Sequence, residues 1–199
     1  MGKFLINKRI DKSITQCKYY PDTKNDLIFN IQELLDRGET NLNCIDVSSI
    51  TDMSNLFENI KIEHNIDISK WDVSNVENMY CMFIGLENFN CNISNWNVSK
   101  VRNMGYMFDD CAIFNQPIGK WDVSNVEYMQ SMFQGCVEFN QPIDNWNVSN
   151  VKDMSYMFYR CEQFNQNLTS WKINKITKRY GVFTKCNIFV ANLPKILIL

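Results

Sequence analysis

The tryptophans of this chain recur every 25 residues, and this spacing constrains the fold more than any other feature of the sequence. They are Trp71, Trp96, Trp121, Trp146 and Trp171. The blocks that start at the first four share the pattern W-[DN]-V-S-[NK]-V-x-x-M-x-x-M-F-x-x-[CL]-x-x-F-N-[QC]-[PN]-[IL]. An internal period of this length indicates a solenoid, a propeller or an array of repeats. The pattern weakens in residues 44–65 and after Trp171, as is typical of the terminal units of a solenoid.

Two apolar spacings within each block predict a strand followed by a short helix. An apolar-x-x-apolar-x-apolar spacing occurs seven times between residues 42 and 198, and it is the strand signature of leucine-rich repeats. The M-x-x-M-F run has the spacing of one helix face, and Ser74 with Glu77 and Ser124 with Glu127 have the form of a capping box. We therefore predict an α/β solenoid, a leucine-rich-repeat-like stack of strand plus short helix coils that start near residues 45, 71, 96, 121, 146 and 171 and finish with a strand over residues 193–198.

The segment before the repeats predicts a helical cap. Thr23 is suited to the N-cap position, apolar residues follow at helical spacing, and Gly38 is suited to end the helix. We expect a helix near residues 23–37 within an N-terminal cap over residues 1–41, with the repeat solenoid filling residues 42–199. Such a cap is expected because an open end would expose the core and a strand edge to self-association.

Charge and hydropathy argue against two classes of partner. The net charge is -2 with a pI near 5.5, whereas a nucleic-acid-binding protein is expected to carry a basic surface patch. No apolar run reaches the roughly 18 residues that a membrane span requires. The first ten residues lack the uninterrupted apolar stretch of a signal peptide, so we expect an intracellular protein.

The cysteines share a repeat column and are predicted to be core residues. Cys111, Cys136, Cys161 and Cys186 align with Leu86, which indicates a small apolar site. Neighbours in such a column could approach closely enough to form disulfides, so that pairing stays open. Reduced thiols are expected in an intracellular protein.

An asparagine column is predicted to form a structural ladder between repeats. Its members are Asn90, Asn115, Asn140 and Asn165, preceded by Asn65. They fall on a return segment whose main-chain groups have no regular ladder partner. Because buried polar groups need hydrogen-bond partners, we expect each amide to bond the main chain of its own or the next repeat.

The residues on either side of each tryptophan form the candidate partner-binding face. Side chains alternate along a strand, so the neighbours of a buried tryptophan are expected to point outward. Tryptophans flanked by charged residues alternate with tryptophans flanked by asparagines. This alternation keeps like charges on neighbouring strands apart, and it is also consistent with a face that is only solvated. The candidate residues are Lys70, Asp72, Asn95, Asn97, Lys120, Asp122, Asn145, Asn147 and Lys172.

Few residues suggest catalysis. The one histidine, His64, is expected to be a surface residue, and no phosphate-binding, zinc-protease or C-x-x-C motif is present. The methionine and cysteine columns could be soft metal ligands, but they fall at the spacing of a packed helix face. We therefore expect no enzyme activity, no cofactor and no bound metal.

The repeat motifs W-D-V-S-N-V, M-x-x-M-F and F-N-Q-P-I closely resemble those of the BspA-like leucine-rich-repeat-variant family, a domain of unknown function first noted in Mycoplasma lipoproteins. The resemblance covers about residues 20–198. It implies a leucine-rich-repeat-like fold and a role in adhesion, because most family members are bacterial surface proteins and further copies occur in large DNA viruses. This chain departs from the surface proteins in lacking a lipidation cysteine near its N-terminus.

These observations favour a non-catalytic protein-interaction module that binds an unknown protein, or less favourably a glycan, through the exposed sheet face. One alternative is a structural or self-assembling component that forms a homodimer through an uncapped C-terminal strand. Another is an adhesin-like surface protein, as the resemblance implies. The wealth of Asn, Ile and Lys suits an AT-rich genome, so the host cytoplasm or the virion of a large DNA virus is the expected location.

Overall fold

The computed structural model describes residues 18–62 and 64–198. It contains one α-helix, α1 (Lys24–Asp36), and two short 3-10 helices, Val190–Asn192 and Lys195–Leu197. The first ten residues, on which the expectation about a signal peptide rests, lie outside the described part of the chain.

Helix α1 lies where the sequence predicts a helix, because its start and end carry strong local signals. The Thr23 side chain accepts a hydrogen bond from the Asp26 main chain, and the Asp26 carboxylate accepts one from the Thr23 main chain, which completes a capping box. The helix buries Leu27, Ile31 and other residues of one face against the first repeat.

The expected α/β solenoid of seven strand plus helix coils is wrong. The described residues form no sheet, and their parallel pairings are isolated bridges rather than strands. No α-helix follows α1 in those residues. The bridges join Tyr19 to Ile45, Asn41 to Asp67, Asp52 to Asn78, Asn78 to Asn103, Asn103 to Tyr128, Tyr128 to Asp153 and Asp153 to Lys178.

Left-handed residues prevent a helix in the M-x-x-M-F segments. Cys81, Tyr106, Ser131 and Tyr156 have φ values between 52° and 58°. A right-handed helix cannot continue through such a residue, because the left-handed conformation reverses the local chain path. Each segment instead makes one turn, as where the Met82 N–H donates to the Met79 carbonyl.

The predicted capping boxes are also wrong, because the serines belong to Asx turns. The N–H of Ser74 donates to Oδ1 of Asp72 at 3.0 Å, and the N–H of Ser124 donates to Oδ1 of Asp122 at 3.1 Å. An Asp two residues before a serine offers the chain a local turn in place of a helix start.

Turns also replace the strands predicted around the tryptophans. The N–H of Trp71 donates to the Ile68 carbonyl, and the N–H of Val76 donates to the Val73 carbonyl, so neither N–H is available for a ladder. The strand expected over residues 193–198 is wrong as well. That segment contains a 3-10 helix, in which the Leu197 N–H donates to the Pro194 carbonyl.

Consecutive repeats nevertheless stack in register around an aromatic core. One phenylalanine column has ring centroids 5.4–5.7 Å apart from Phe83 to Phe183, and a second has centroids 5.7–6.0 Å apart from Phe89 to Phe164. Each tryptophan indole N–H donates to a main-chain carbonyl of the preceding repeat, as from Trp121 to Ile93 at 3.2 Å. The 25-residue period thus reflects stacking of aromatic rings and polar partners rather than of strands and helices.

A row of main-chain hydrogen bonds joins each repeat to the next in one direction. The N–H groups of Met79, Cys81, Phe83 and Gly85 donate to carbonyls of the following repeat at 2.7–2.9 Å. Four equivalent bonds run forward from each of the repeats that contain Met104, Met129 and Met154. We call these groups the forward N–H row.

Candidate interaction surface

All of the residues that flank the tryptophans are exposed. This surface, which we call the tryptophan-flanking surface, consists of Lys70, Asp72, Asn95, Asn97, Lys120, Asp122, Asn145, Asn147 and Lys172. The five tryptophans between them are only 3–4% exposed. The polar side chains therefore project from turns rather than from strands, with buried indoles between them.

Asx turns fix the orientation of several of these side chains. Oδ1 of Asn97 accepts from the N–H of Ser99 at 3.2 Å and from its hydroxyl at 2.7 Å, and Asn147 makes the same two bonds with Ser149. The bonds from Ser124 hold the pKa of Asp122 below its usual value. The [DN]-x-S spacing after the first four tryptophans is the sequence signal for these turns.

A second polar column lies beside this surface and was not predicted. Nδ2 of Asn125 donates to the Ser99 carbonyl at 2.7 Å, and Nδ2 of Asn150 donates to the Ser124 carbonyl at 2.7 Å. These amides link consecutive repeats at the exposed rim. The sequence signal for this column is the serine-asparagine pair of the repeats that begin at Trp71, Trp121 and Trp146, whose serine was predicted to start a helix.

The asparagine column joins consecutive repeats through main-chain and side-chain donors. Oδ1 of Asn90 accepts from the Asn115 N–H at 3.0 Å and from Nε2 of Gln116 at 2.8 Å. Oδ1 of Asn140 accepts from the Asn165 N–H at 3.1 Å. These contacts give the asparagines a structural role.

An ion-pair cluster was not predicted, because its members occupy a variable position of the repeat, directly after the last valine of the tryptophan motif. Glu127 lies between Arg102 and Lys152, with Nη1 of Arg102 3.7 Å from Oε1 of Glu127. The bond from Lys152 lowers the pKa of Glu127 and raises the pKa of Lys152. The Arg102 and Lys152 side chains are well exposed, so the cluster adds little stability.

Asp109 is a buried acid that sequence reasoning did not single out. It is 7% exposed, and its Oδ1 has no hydrogen-bond partner among the described residues. Burial, with a further contribution from the Asp110 carboxylate, raises the pKa of Asp109 to about 6. Nothing in the repeat pattern marks this residue, because the other repeats carry Ile84, Gln134 and Tyr159 at this position.

The cysteine column is buried at Cys111, Cys136 and Cys161 and partly buried at Cys186, and this burial disfavours the reactive thiolate form. The thiols of Cys111, Cys136 and Cys161 donate to main-chain carbonyls of the preceding repeat at 2.7–3.1 Å, and burial raises the pKa of each. Burial also raises the pKa of Cys186 to about 11. No disulfide joins the seven cysteines that the structure describes.

His64 is exposed and lines a cavity of about 220 Å³ that also contacts Ile62, residues 65–66 and residues 85–89. Across the described ranges, no three His, Cys, Asp or Glu side chains are grouped so that they could hold a metal ion.

Stacked 25-residue units, a buried aromatic core and a polar exposed rim define a tandem-repeat protein. The chain belongs to the family described as Mycoplasma protein of unknown function, DUF285, whose model matches residues 28–136 and 92–196. No curated protein and no solved structure matches the chain. The one α-helix of the described residues is too short to cross a membrane.

Proposed function

We propose that this protein is a non-catalytic interaction module that binds a partner protein through the tryptophan-flanking surface. The observation that supports the proposal is the regular display of exposed Lys, Asp and Asn side chains at equivalent positions of successive repeats. Their turns are tied to a closely packed core, so little conformational entropy would be lost when they contact a partner.

The chemistry of the surface favours a polar partner. Repeats that expose lysine and aspartate alternate with repeats that expose asparagine. The surface therefore offers positive, negative and neutral hydrogen-bonding groups instead of one strongly charged patch. Stacked repeats present such residues over an extended area, which suits a large partner better than a small molecule. We therefore favour a folded protein over a glycan.

The test compares capture of binding partners by the native protein and by an Asn95→Arg, Asn145→Arg variant. Both residues are exposed and lie outside the Asx turns, so the melting temperature should remain nearly unchanged. Captured proteins are quantified by mass spectrometry after affinity purification from cells that express the protein. Loss of a reproducible partner from the double variant is the expected result.

A matched control carries Asn88→Arg and Gln163→Arg. These exposed residues occupy another repeat column, and the change in net charge is the same. The control should retain the partner. Equal capture by both variants would remove the tryptophan-flanking surface from the proposal.

A further inference from the structure

The first repeat carries one more residue than the later repeats at one corner of its path. Asn65 follows Phe57 by eight positions, whereas the equivalent Asn90 follows Phe83 by seven. His64 consequently stands where the later repeats carry Phe89, Phe114, Phe139 and Phe164. Insertions into single repeats of a solenoid map to one face, which is often the binding face.

The main chains of the first and second repeats separate after Asn55. The N–H groups of Met53 and Asn55 donate forward at 2.9 and 2.8 Å, but those of Phe57 and Asn59 donate to no carbonyl in the described ranges. The forward N–H row is complete in each of the next four repeats. Phe57 still stacks on Phe83 with ring centroids 5.5 Å apart, so the two repeats separate at the surface and not in the core.

The asparagine column does not extend to Asn65. Oδ1 of Asn90 accepts from the Asn115 N–H, but within residues 18–62 and 64–198 no hydrogen bond joins Asn65 to Asn90. The Asn88 N–H has no partner there either, although the equivalent N–H groups donate to the preceding repeat at 3.1–3.3 Å in Ile113, Glu138 and Gln163. The extra residue thus leaves polar groups of both repeats unpaired at this junction.

The cavity of about 220 Å³ that His64 lines lies at this junction. Leu86 and Phe89 supply apolar surface, and Asn65 and Asn88 supply amide groups. Phe89 is the first ring of its column, because the exposed His64 stands before it. Since a cavity of roughly 150 Å³ with apolar walls can hold benzene, this one has room for a phenyl ring with a short polar substituent.

The polar groups of the lining favour a neutral amide. Glu87 carries the only carboxylate among the described residues that line the cavity, and none of these residues is Lys or Arg. An anion would therefore be repelled, and a cation would gain no more than an exposed ion pair. The unpaired Asn65 side chain and Asn88 N–H are complemented by an amide, which offers one acceptor and one donor.

We propose that this cavity binds a phenyl ring linked to a neutral amide, which is the chemistry of a phenylalanine residue in a peptide. The ring packs against Leu86 and Phe89, where a phenylalanine of the preceding repeat lies at later junctions. The amide carbonyl of the ligand accepts from the Asn88 N–H, and its N–H donates to Oδ1 of Asn65. None of these residues belongs to the tryptophan-flanking surface, so the site is independent of the proposed function.

Titration of the isotopically labelled, full-length protein with N-acetyl-phenylalaninamide tests the site, with two-dimensional NMR as the readout. We expect saturable shifts of the Asn65, Leu86 and Asn88 signals, with a dissociation constant on the order of 1 mM for so small a ligand. N-acetyl-alaninamide lacks the ring and should leave these signals unchanged. Absence of saturable shifts, or equal shifts with both compounds, would overturn the proposal.

A capped tripeptide distinguishes two sources of this chemistry. Tighter binding of N-acetyl-Gly-Phe-Gly-amide than of the single residue would identify a peptide segment of a partner protein as the ligand. Equal affinity would identify a small molecule. Either result supports a site for a ring with an amide.

Asn65→Ala separates a binding role from a structural one. No described residue bonds to this side chain, so the melting temperature should stay unchanged. The affinity for N-acetyl-phenylalaninamide should fall about threefold to tenfold, because one hydrogen bond is lost. An unchanged affinity would contradict the contact assigned to Asn65.

Glu87→Gln tests the preference for a neutral ligand. Binding of the anion N-acetyl-phenylalanine should strengthen about threefold, because the repelling carboxylate is removed. Glu138→Gln makes the same change in net charge at an exposed position of a later repeat and should leave binding as it is. An equal effect of both variants would refute a role of Glu87 in the site.

Closing the cavity should abolish binding. Deletion of Glu63 together with His64→Phe gives the first repeat the spacing and the phenylalanine of the later repeats. The new ring should occupy the site and remove the shifts, while circular dichroism checks that the variant is folded. A folded variant with native affinity would overturn the proposal. If the variant does not fold, the Asn65→Ala and Glu87→Gln variants still decide the question.

Discussion

Oδ1 of Asn115 accepts a hydrogen bond from the main-chain N–H of Asn140, 25 residues later, at a distance of 3.1 Å. The same oxygen accepts a second bond from Nε2 of Gln141 at 2.8 Å. One side-chain oxygen therefore satisfies two donors of the next repeat, on a segment that has no regular main-chain ladder.

Asn115→Ala should destabilise the protein by about 1–3 kcal/mol, because it removes two hydrogen bonds between repeats, one of them part-buried. Urea denaturation followed by circular dichroism measures the change in the free energy of unfolding. Asn115→Asp is the matched control, since its carboxylate keeps an oxygen for both donors and should lose less stability. Equal losses in the two variants would show that the acceptor is unimportant.

Asp109→Asn should stabilise the protein at neutral pH. Because burial raises the pKa of this acid from 3.8 to about 6, the folded protein binds more protons than the unfolded chain between these values. Stability consequently falls as pH rises through this window and stays lower above it. The amide removes the buried charge, so the expected gain at pH 7.5 is on the order of 2–3 kcal/mol.

The gain from Asp109→Asn should shrink at pH 4, where the native carboxyl is protonated in the folded protein. Thermal unfolding of both proteins at several pH values measures this difference. A gain that is the same at pH 4 and pH 7.5 would contradict ionisation of a buried carboxyl as its cause.

Phe133→Ala should cost about 3–5 kcal/mol, because the ring is fully buried and truncation leaves a cavity. Its ring stacks between Phe108 and Phe158, with centroids 5.7 and 5.6 Å away. Phe183→Ala is the matched comparison at the half-buried end of the column and should cost clearly less. Denaturant unfolding of the two variants checks the order, and a reversed order would contradict the stacking account.

Gly135→Ala should be more destabilising than Gly85→Ala. Both glycines have positive φ values, 68° and 73°, so each alanine incurs a penalty of roughly 1–2 kcal/mol for the left-handed conformation. A methyl group on Gly135 would also lie 2.1 Å from Oδ1 of Asp110, whereas no atom lies within 4 Å of one on Gly85. Equal melting temperatures of the two variants would show that the Asp110 side chain moves aside without cost.

The repeat period and the identity of the core could be predicted because packing dictates them. A tryptophan or phenylalanine that recurs every 25 residues must occupy equivalent surroundings, and these side chains are buried wherever they have neighbours on both sides. The role of Asn115 also follows from physical reasoning, because an amide on an irregular segment must satisfy main-chain groups.

The secondary structure could not be predicted from the same pattern, because burial spacing does not distinguish a helix from a turn. The methionines of M-x-x-M-F are buried in either case. The decisive residues, among them Cys81, Tyr106 and Tyr156, adopt a left-handed conformation that glycine normally marks. The burial of Asp109 could not be predicted for a related reason, since it depends on neighbouring repeats rather than on a motif of its own repeat.

The constant offset of the contacts between repeats determines which changes in chain length the protein can tolerate. The indole of Trp96 donates to the Ile68 carbonyl, as that of Trp121 does to the Ile93 carbonyl. Deleting residues 96–120 would bring Trp121 to the Ile68 carbonyl with its later neighbours unchanged. A deletion one residue shorter would misplace every ring and amide that follows. Duplication or loss of whole 25-residue units is therefore the change in length that preserves the contacts between repeats.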